Sequence, residues 1–303
     1  MNVTILARIV AQKRIAILLH ENDRFPKSRG YFIWALFEAW REQGIKIEVT
    51  KGIKKRVEVD LLIPHVDATI LPAAYAEFLR DYPVVVNRSV PDISKRFVSG
   101  NLLGRGDSYD GPVIVKTNLN CGGGPEVDFS NSKIFYAREK WRNLLRGLVG
   151  RKRKKFTSDW GAVNCMECED YQIFPSLKAV PEAVFENSSL VVEKFFPERQ
   201  NGVYYVRIYK FFGDRGYCAR FGSPHPIVKQ KNIISREDIP ISDEVLAVRR
   251  RLGMDYGKLD FVVHEGRTIV FDVNRTPGIF NPPERMKAKA MLLAPGIHSF
   301  FRS

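Results

Sequence analysis

The sequence predicts an α/β N-terminal unit followed by an α+β second part. In the first third, short apolar runs of buried-strand length alternate with helix-patterned segments, the sequence form of a parallel sheet. Beyond residue 200 the strand-like runs come as antiparallel pairs joined by tight turns. A length of 303 residues with 45% hydrophobic content is enough for two units, and it excludes collagen-like, low-complexity and disordered chains.

The N-terminal elements follow in order. Residues 15–19 read as a buried strand, and 31–43 as a helix with apolar Phe32, Leu36, Phe37 and Trp40, stopped by Gly44. Residues 45–49, 59–63 and 84–86 read as further strands, with a helix at 73–80, and the unit closes near Ser94. In the second part, 203–212 and 217–221 flank a Gly-Asp-Arg-Gly turn, and 259–263 and 268–274 flank His264-Glu265-Gly266. Helices are predicted at 133–148, 242–252 and 283–293. There is no internal repeat and no low-complexity linker.

The longest uninterrupted apolar stretch, 31–37, is far short of the ~20 residues of a bilayer-spanning helix, and no small-residue cleavage site follows the N-terminal apolar residues, so a cytoplasmic protein without membrane insertion is expected. Four cysteines suit free thiols in a reducing compartment, and Cys165-x-x-Cys168 lacks the second pair or histidine couple of a zinc site. The net charge of +14 is concentrated. Residues 138–155 hold nine basic side chains against Glu139, and so account for eight of those fourteen charges. Such a run either recruits an acidic peptide, a phosphorylated ligand or RNA by electrostatic steering, or is a solvated loop.

The sharpest constellation lies at 257–278, GKLDFVVHEGRTIVFDVNRTPG. If His264, Glu265 and Gly266 form a three-residue loop, Val263 pairs with Arg267, Lys258 faces Asp272 and Asp260 faces Val270. Opposed side chains share a face and alternate residues return to it, so Lys258, Asp260, Asp272 and Asn274 project to one side. Two carboxylates and an amide oxygen beside a cation match the oxygen ligands that Mg²⁺ takes, with water and phosphate completing its shell. A two-residue Glu265-Gly266 turn would shift the register by one and break this arrangement. An ordinary amphipathic hairpin with a solvated charged face is the alternative.

Other segments add to it. A short apolar strand ends in Lys116 and leads into Gly122, Gly123 and Gly124, whose backbone amides can approach a phosphate; no Walker A pattern follows. Residues 190–198 form an apolar strand that turns polar and then aromatic. Its backbone end could meet an adenine edge, with Phe195 or Phe196 on the ring face and Glu198 at a ribose hydroxyl, or it is an edge strand leaving its sheet. Arg207 sits in a strand that otherwise reads as core, where an arginine pairs with an acid or reaches an anion. His65 and Asp67 follow a parallel strand, where open α/β sheets place ligands, although a capping role fits them as well. His225 follows the 217–221 strand.

Taken in order, Lys95, Lys116, the glycine loop, Glu193-Lys194-Phe195, Arg207, Lys258, Asp260, Asp272, Asn274 and Pro277-Gly278 resemble the ATP-grasp superfamily, with the D-alanine:D-alanine ligases and glutathione synthetases as look-alikes. The resemblance implies an α/β N-terminal (pre-ATP-grasp) domain over 1–94 and an α+β ATP-grasp domain over 95–303, with a lid subdomain at about 113–195 and a large subdomain at about 196–303. It implies ATP between these two subdomains and Mg²⁺ or Mn²⁺ as the metal. Lys95 and Lys116 would contact phosphates under Gly122, Gly123 and Gly124. Glu193, Lys194 and Phe195 would hold adenine and Glu198 ribose, while Asp260, Asp272 and Asn274 would hold the metal. Lys258, Arg207 and Arg275 would be the catalytic cations.

A carboxylate–amine or carboxylate–thiol ligase acting through an acyl phosphate, acting as monomer or homodimer, is the activity so implied. Two departures qualify it. Lys258 stands where those ligases have an arginine, which keeps the charge and gives up bidentate contact. Arg275 stands where they have a small residue, which suggests a different, anionic acceptor. A kinase that leaves the phosphate on a hydroxyl, and a non-catalytic polyanion- or RNA-binding protein of this fold, are the alternatives.

Overall fold

The computed structural model describes residues 12–23, 30–126, 159–166, 170–279 and 283–301. The predicted helix at 133–148, the basic run 138–155 and Cys168 lie outside them. The first described elements are β1 (Ile15–Leu19), α1 (Phe32–Glu42), β2 (Ile47–Lys51), β3 (Leu61–His65) and α2 (Ala73–Arg80). Next come α3 (Lys95–Val98), β4 (Val113–Thr117), β5 (Gln172–Phe174), α4 (Glu182–Glu186) and β6 (Leu190–Lys194). The C-terminal elements are β7 (Glu198–Gln200), β8 (Val203–Phe212), β9 (Arg215–Ser223), β10 (Ser235–Ile239), α5 (Asp243–Leu252), β11 (Tyr256–His264), β12 (Arg267–Asn274) and α6 (Pro283–Leu293). They form two compact units, one of residues 1–93 with 196–303, the other of 94–195.

In the first unit, β1 pairs in parallel with β2 and β3, in the order β2-β1-β3. All five residues of β1 are buried, which is why it reads as a continuous apolar run. Helix α1 buries Phe32, Ile33, Leu36 and Trp40, a stripe at helical spacing, and ends before Gly44 at φ +76°. The expected strand at 84–86 is reduced to a single parallel bridge between Leu62 and Val85, because Asn87 turns the chain at φ +59° immediately afterwards. Asn87 is held there by its amide, which accepts from the backbone N–H of Asp255 and Tyr256.

The rest of this unit is an antiparallel sheet in the order β10-β9-β8-β11-β12, with β7 on β8. The β8–β9 turn is tighter than its four-residue reading: Phe212 pairs with Arg215 around Gly213-Asp214. Helix α5 starts at a Ser242 cap whose hydroxyl accepts from Val245 N, and stops at Gly253 in the left-handed region. The N- and C-terminal thirds share one core. Phe32, Trp40 and Ile63 pack in the same cluster as Phe212, Tyr256 and Leu293, with the Trp40 and Phe212 rings 5.0 Å apart and Trp40 Nε1 donating to Ala294 O.

The second unit carries the sheet β5-β4-β6, fully antiparallel. Val113, Val115, Leu190 and Val192 pack with Trp160, Leu177 and Val184 in a core of its own.

Phe212 is fully buried between the two halves of the first core. Phe212→Ala should cost about 3–5 kcal/mol in urea unfolding, the range for removing a buried aromatic ring. A loss below about 1 kcal/mol would show that the ring does not join the two parts.

Candidate active site

The 256–274 hairpin differs from its predicted register in two places that compensate. Its turn is the two-residue Glu265-Gly266, both at positive φ, so His264 faces Arg267 and Val263 faces Thr268. A β-bulge then inserts Phe271: Phe261 faces Val270, whereas Asp260 faces Asp272 and Lys258 faces Asn274. The shorter turn alone would have put Asp272 and Asn274 on the opposite side from Asp260. The bulge returns them, so all four polar side chains share a face, with the two carboxylates directly opposed.

Burial raises the pKa of Asp260 above the usual carboxylate range; the Lys258 ammonium that pairs with it opposes this and Asp272 adds to it. Asp260 Oδ1 is buried and accepts no hydrogen bond among the described residues. A hard cation is the partner that such an opposed, partly unsatisfied carboxylate pair fits. Among the described residues no three His, Cys, Asp or Glu side chains gather as a ligand set, so these are two carboxylates and an amide. The Asn274 oxygen is already engaged, accepting from Thr276 N at 2.6 Å and Thr276 Oγ1 at 3.1 Å.

Strand β8 adds a cation that the sequence reading did not single out. Lys210 lies directly opposite Lys258, is 3% exposed, donates to Gly278 O at 2.9 Å and sits 5.2 Å from the Phe32 ring centroid. Burial, and then the charge of Lys258, pull its pKa down to about 7. Its only sequence signal was a lysine inside an apolar strand.

Two expectations need correction. Glu198 is not open to a ribose: its carboxylate accepts Arg207 Nε and Nη2, each at 2.9 Å at the nearest, and Val263 N at 2.9 Å, and it pairs with Arg220 at 3.0 Å. Arg207 is thereby committed to an acid. The overlooked signal was Asn201-Gly202, whose positive-φ turn joins β7 to β8 and sets Glu198 opposite Tyr205, two residues before Arg207. Arg275 does not await an anionic acceptor. It is 6% exposed and its guanidinium donates to the carbonyls of Ala68, Thr69, Val90 and Pro91.

Asp67 is a link within this unit, accepting from the hydroxyls of Tyr31 and Thr276. His65, beside it at the end of β3, is fully buried with neither ring nitrogen hydrogen-bonded among the described residues; Tyr31 packs edge-on at 4.9 Å. Burial pushes its pKa down to about 3, so it is a neutral imidazole. His225 lies in the loop after β9, its backbone N–H donating to Ser223 Oγ.

In the second unit, Lys116 and Glu193 form a buried ion pair across β4 and β6, with Glu193 Oε1 buried and unpartnered among the described residues. Lys95 is buried and donates to Asn120 Oδ1 at 3.1 Å. That bond ties it to the glycine loop, where Cys121, Gly122 and Gly123 all have positive φ. A side chain at Gly122 would strike the Met166 carbonyl, so this glycine is required by packing as well as by conformation. Gly124 follows in right-handed backbone. Lys194 lies 5.1 Å from the Tyr109 ring centroid, and Phe195 N donates to Pro112 O. Cys165 is exposed.

No protein-family model matches the chain, and no curated protein matches it. Among solved structures it is similar to D-cycloserine synthetase DcsG, an ATP-grasp protein, with a TM-score of 0.52 at 13% identity over 95% of this chain and 100% of that one. The chain has the ATP-grasp fold. An ATP-grasp RimK domain protein from Sphaerobacter thermophilus also aligns, with a TM-score of 0.46 at 12% identity over 95% of this chain and 98% of that one. So does the D-alanine–D-alanine ligase of Bacillus anthracis in complex with ATP, with a TM-score of 0.45 at 14% identity over 95% of each chain. Among the described residues no helix is long and apolar enough to cross a membrane.

Glu198→Gln should lower stability by roughly 2 kcal/mol, less than the ~3–5 kcal/mol of a fully buried pair because Arg207 is 26% exposed. Chemical denaturation reads this, and an unchanged midpoint would remove the structural role given to the carboxylate. His65 sets a pH slope. The unfolded chain takes its proton near 6.5 and the folded one only near 3, so stability is full above pH 6.5 and falls below it. The fall is up to ~1.4 kcal/mol per pH unit, and His65→Phe should flatten the slope between pH 6 and 4 by that amount.

Proposed function

We propose that the chain is an ATP- and Mg²⁺-dependent ligase that joins a carboxylate to an amine or thiol through an acyl phosphate, with ADP and phosphate as the other products. The observation that carries this reading is the opposed pair Asp260–Asp272, in which Asp260 Oδ1 is buried without a hydrogen bond among the described residues, beside two buried lysines in an ATP-grasp fold. The similarity of fold to a D-cycloserine synthetase supports an activity of the ligase kind.

Asp260 and Asp272 would hold the metal, and Asn274 would join them by exchanging the Thr276 hydroxyl at its amide oxygen. Bound there, Mg²⁺ would neutralise charge on the phosphate oxygens. Lys258 faces the same side and would steady the transferred phosphoryl group as a point charge. In the second unit, Lys95 and Lys116 would meet nucleotide phosphates beneath the Gly122–Gly124 loop. Glu193, with an acceptor oxygen to spare, would take the exocyclic amine of adenine, alongside the backbone of Lys194 and the ring of Phe195. Arg207, Glu198 and Arg275 would serve by holding strands and loops in place. The substrate is a small molecule or peptide bearing a carboxylate.

The test is ADP release by the purified chain with Mg-ATP, hydroxylamine and a pool of amino acids and small carboxylic acids, with products read by mass spectrometry. A hydroxamate together with ADP is the expected result, and it names the acid. ADP with a phosphate ester and no hydroxamate would make the chain a kinase, and tight salt-dependent binding of polyanions without ADP would make it a binding protein. Asp272→Asn, nearly constant in volume, should lower Mg²⁺-dependent turnover by at least about a hundredfold while leaving the fold intact. Unchanged turnover would remove the metal assignment.

A further inference from the structure

We propose that Lys210 acts with Lys258 as a two-ammonium clamp for a phosphoryl dianion, doing jointly what one arginine fork would do. The proposal rests on the ligase reading above and adds a substrate-contacting residue to it.

The geometry is a row of side chains running straight across four strands. Tyr217 of β9 faces Lys210 of β8, Lys210 faces Lys258 of β11, and Lys258 faces Asn274 of β12. Directly opposed residues of an antiparallel ladder share a face, with Cβ atoms about 4.5–5.5 Å apart. Both lysines therefore rise from neighbouring strands on the side that carries Asp260 and Asp272, which occupy the next row, opposite each other. Residue exposure is 3% at Lys210 and 7% at Lys258, so both charges stand largely out of water.

Two ammonium groups side by side in such surroundings repel each other and are costly to bury without compensating charge. In the protein alone, the two carboxylates of the next row offset part of this charge, to which Arg236 and Lys229 add. A divalent cation on those carboxylates would neutralise them and leave the face net positive. A phosphoryl dianion offsets that charge more fully than a neutral ligand or a monocarboxylate does.

Shape points the same way. A guanidinium grips two oxygens of a tetrahedral group through a planar fork, which a single lysine cannot do. Two point charges from adjacent strands restore two separate contacts. The Lys210 ammonium is also anchored, by its bond to Gly278 O and its seat over Phe32, so little of its freedom is left to be lost on binding.

The anchoring bond supplies the competing explanation, in which Lys210 merely pins the loop at Gly278. The full-length chain, saturated with Mg-ADP, is titrated with inorganic phosphate in a calorimeter. Lys210→Met and Lys210→Gln should each weaken phosphate binding by about tenfold or more, with Mg-ADP affinity changed by less than about twofold. Glutamine keeps a donor for Gly278 O and removes the charge, so phosphate binding at the original strength in Lys210→Gln would overturn the proposal in favour of the pin. Adding Lys258→Arg to Lys210→Gln should recover most of the lost affinity, and no recovery would overturn the equivalence to an arginine fork. Mg-ADP binding without phosphate binding in the unaltered chain would sink the clamp alone. No Mg-ADP binding would sink the ligase reading, and the clamp with it.

Discussion

The candidate site depends on one extra residue in one strand. Phe271 bulges out of β12 and thereby decides the side on which Asp272 and Asn274 emerge. Strand side chains alternate with a period of two, so a one-residue change in pairing moves every side chain beyond it to the other face. The Glu265-Gly266 turn makes one such change and the bulge makes another in the same sense, so that together they shift the pairing by two residues and restore the face. The outcome is a pair of carboxylates facing each other within a sheet, an arrangement that is unfavourable for the protein alone. Its marks are the raised pKa of Asp260 and its Oδ1, which accepts no hydrogen bond among the described residues.

The segment that follows Asn274 is fixed from outside the hairpin. Arg275 reaches the carbonyls of two N-terminal loops, and Thr276 and Tyr31 meet on Asp67. Phe32 N donates to Pro277 O, Ile279 N to Gly30 O and Lys210 to Gly278 O. Each residue from 275 to 279 is therefore bonded to another element of the same unit. The shared core beneath, where Trp40 meets Phe212, makes the N-terminal α/β part a rigid support for this turn. A buried arginine whose guanidinium donates to four carbonyls is a structural device, and this explains a cation at 275 without any ligand.

Much of this was legible in the residues. Helix α2 and helix α6 run over the residues that their apolar spacing indicates, and β1 has the bounds of its apolar run. The Glu193-Lys194-Phe195 and Asp260, Asp272, Asn274 segments stood out through their chemistry. What misled was local geometry. His264 looked like a loop residue and is the last residue of β11, because Glu265 and Gly266 alone complete the turn. Glu198 looked available because Arg207 and Arg220 lie 9 and 22 residues further along the chain, and only the pairing of β7, β8 and β9 brings both guanidinium groups to it.

By itself, the sequence determined the apolar runs of several strands and helices and the kinds of side chain available to a candidate site, because periodicity and side-chain chemistry are local properties of the chain. The tertiary structure alone decided which of those charges are already engaged and which share a face. Lys210 opposite Lys258 is a contact between strands 48 positions apart, and the Phe271 bulge lies where β11 pairs with β12 on one edge and with β8 on the other. The first is a long-range pairing and the second an irregularity inside a hairpin, and no local pattern of residues encodes the partner of a strand or the place where a ladder bulges.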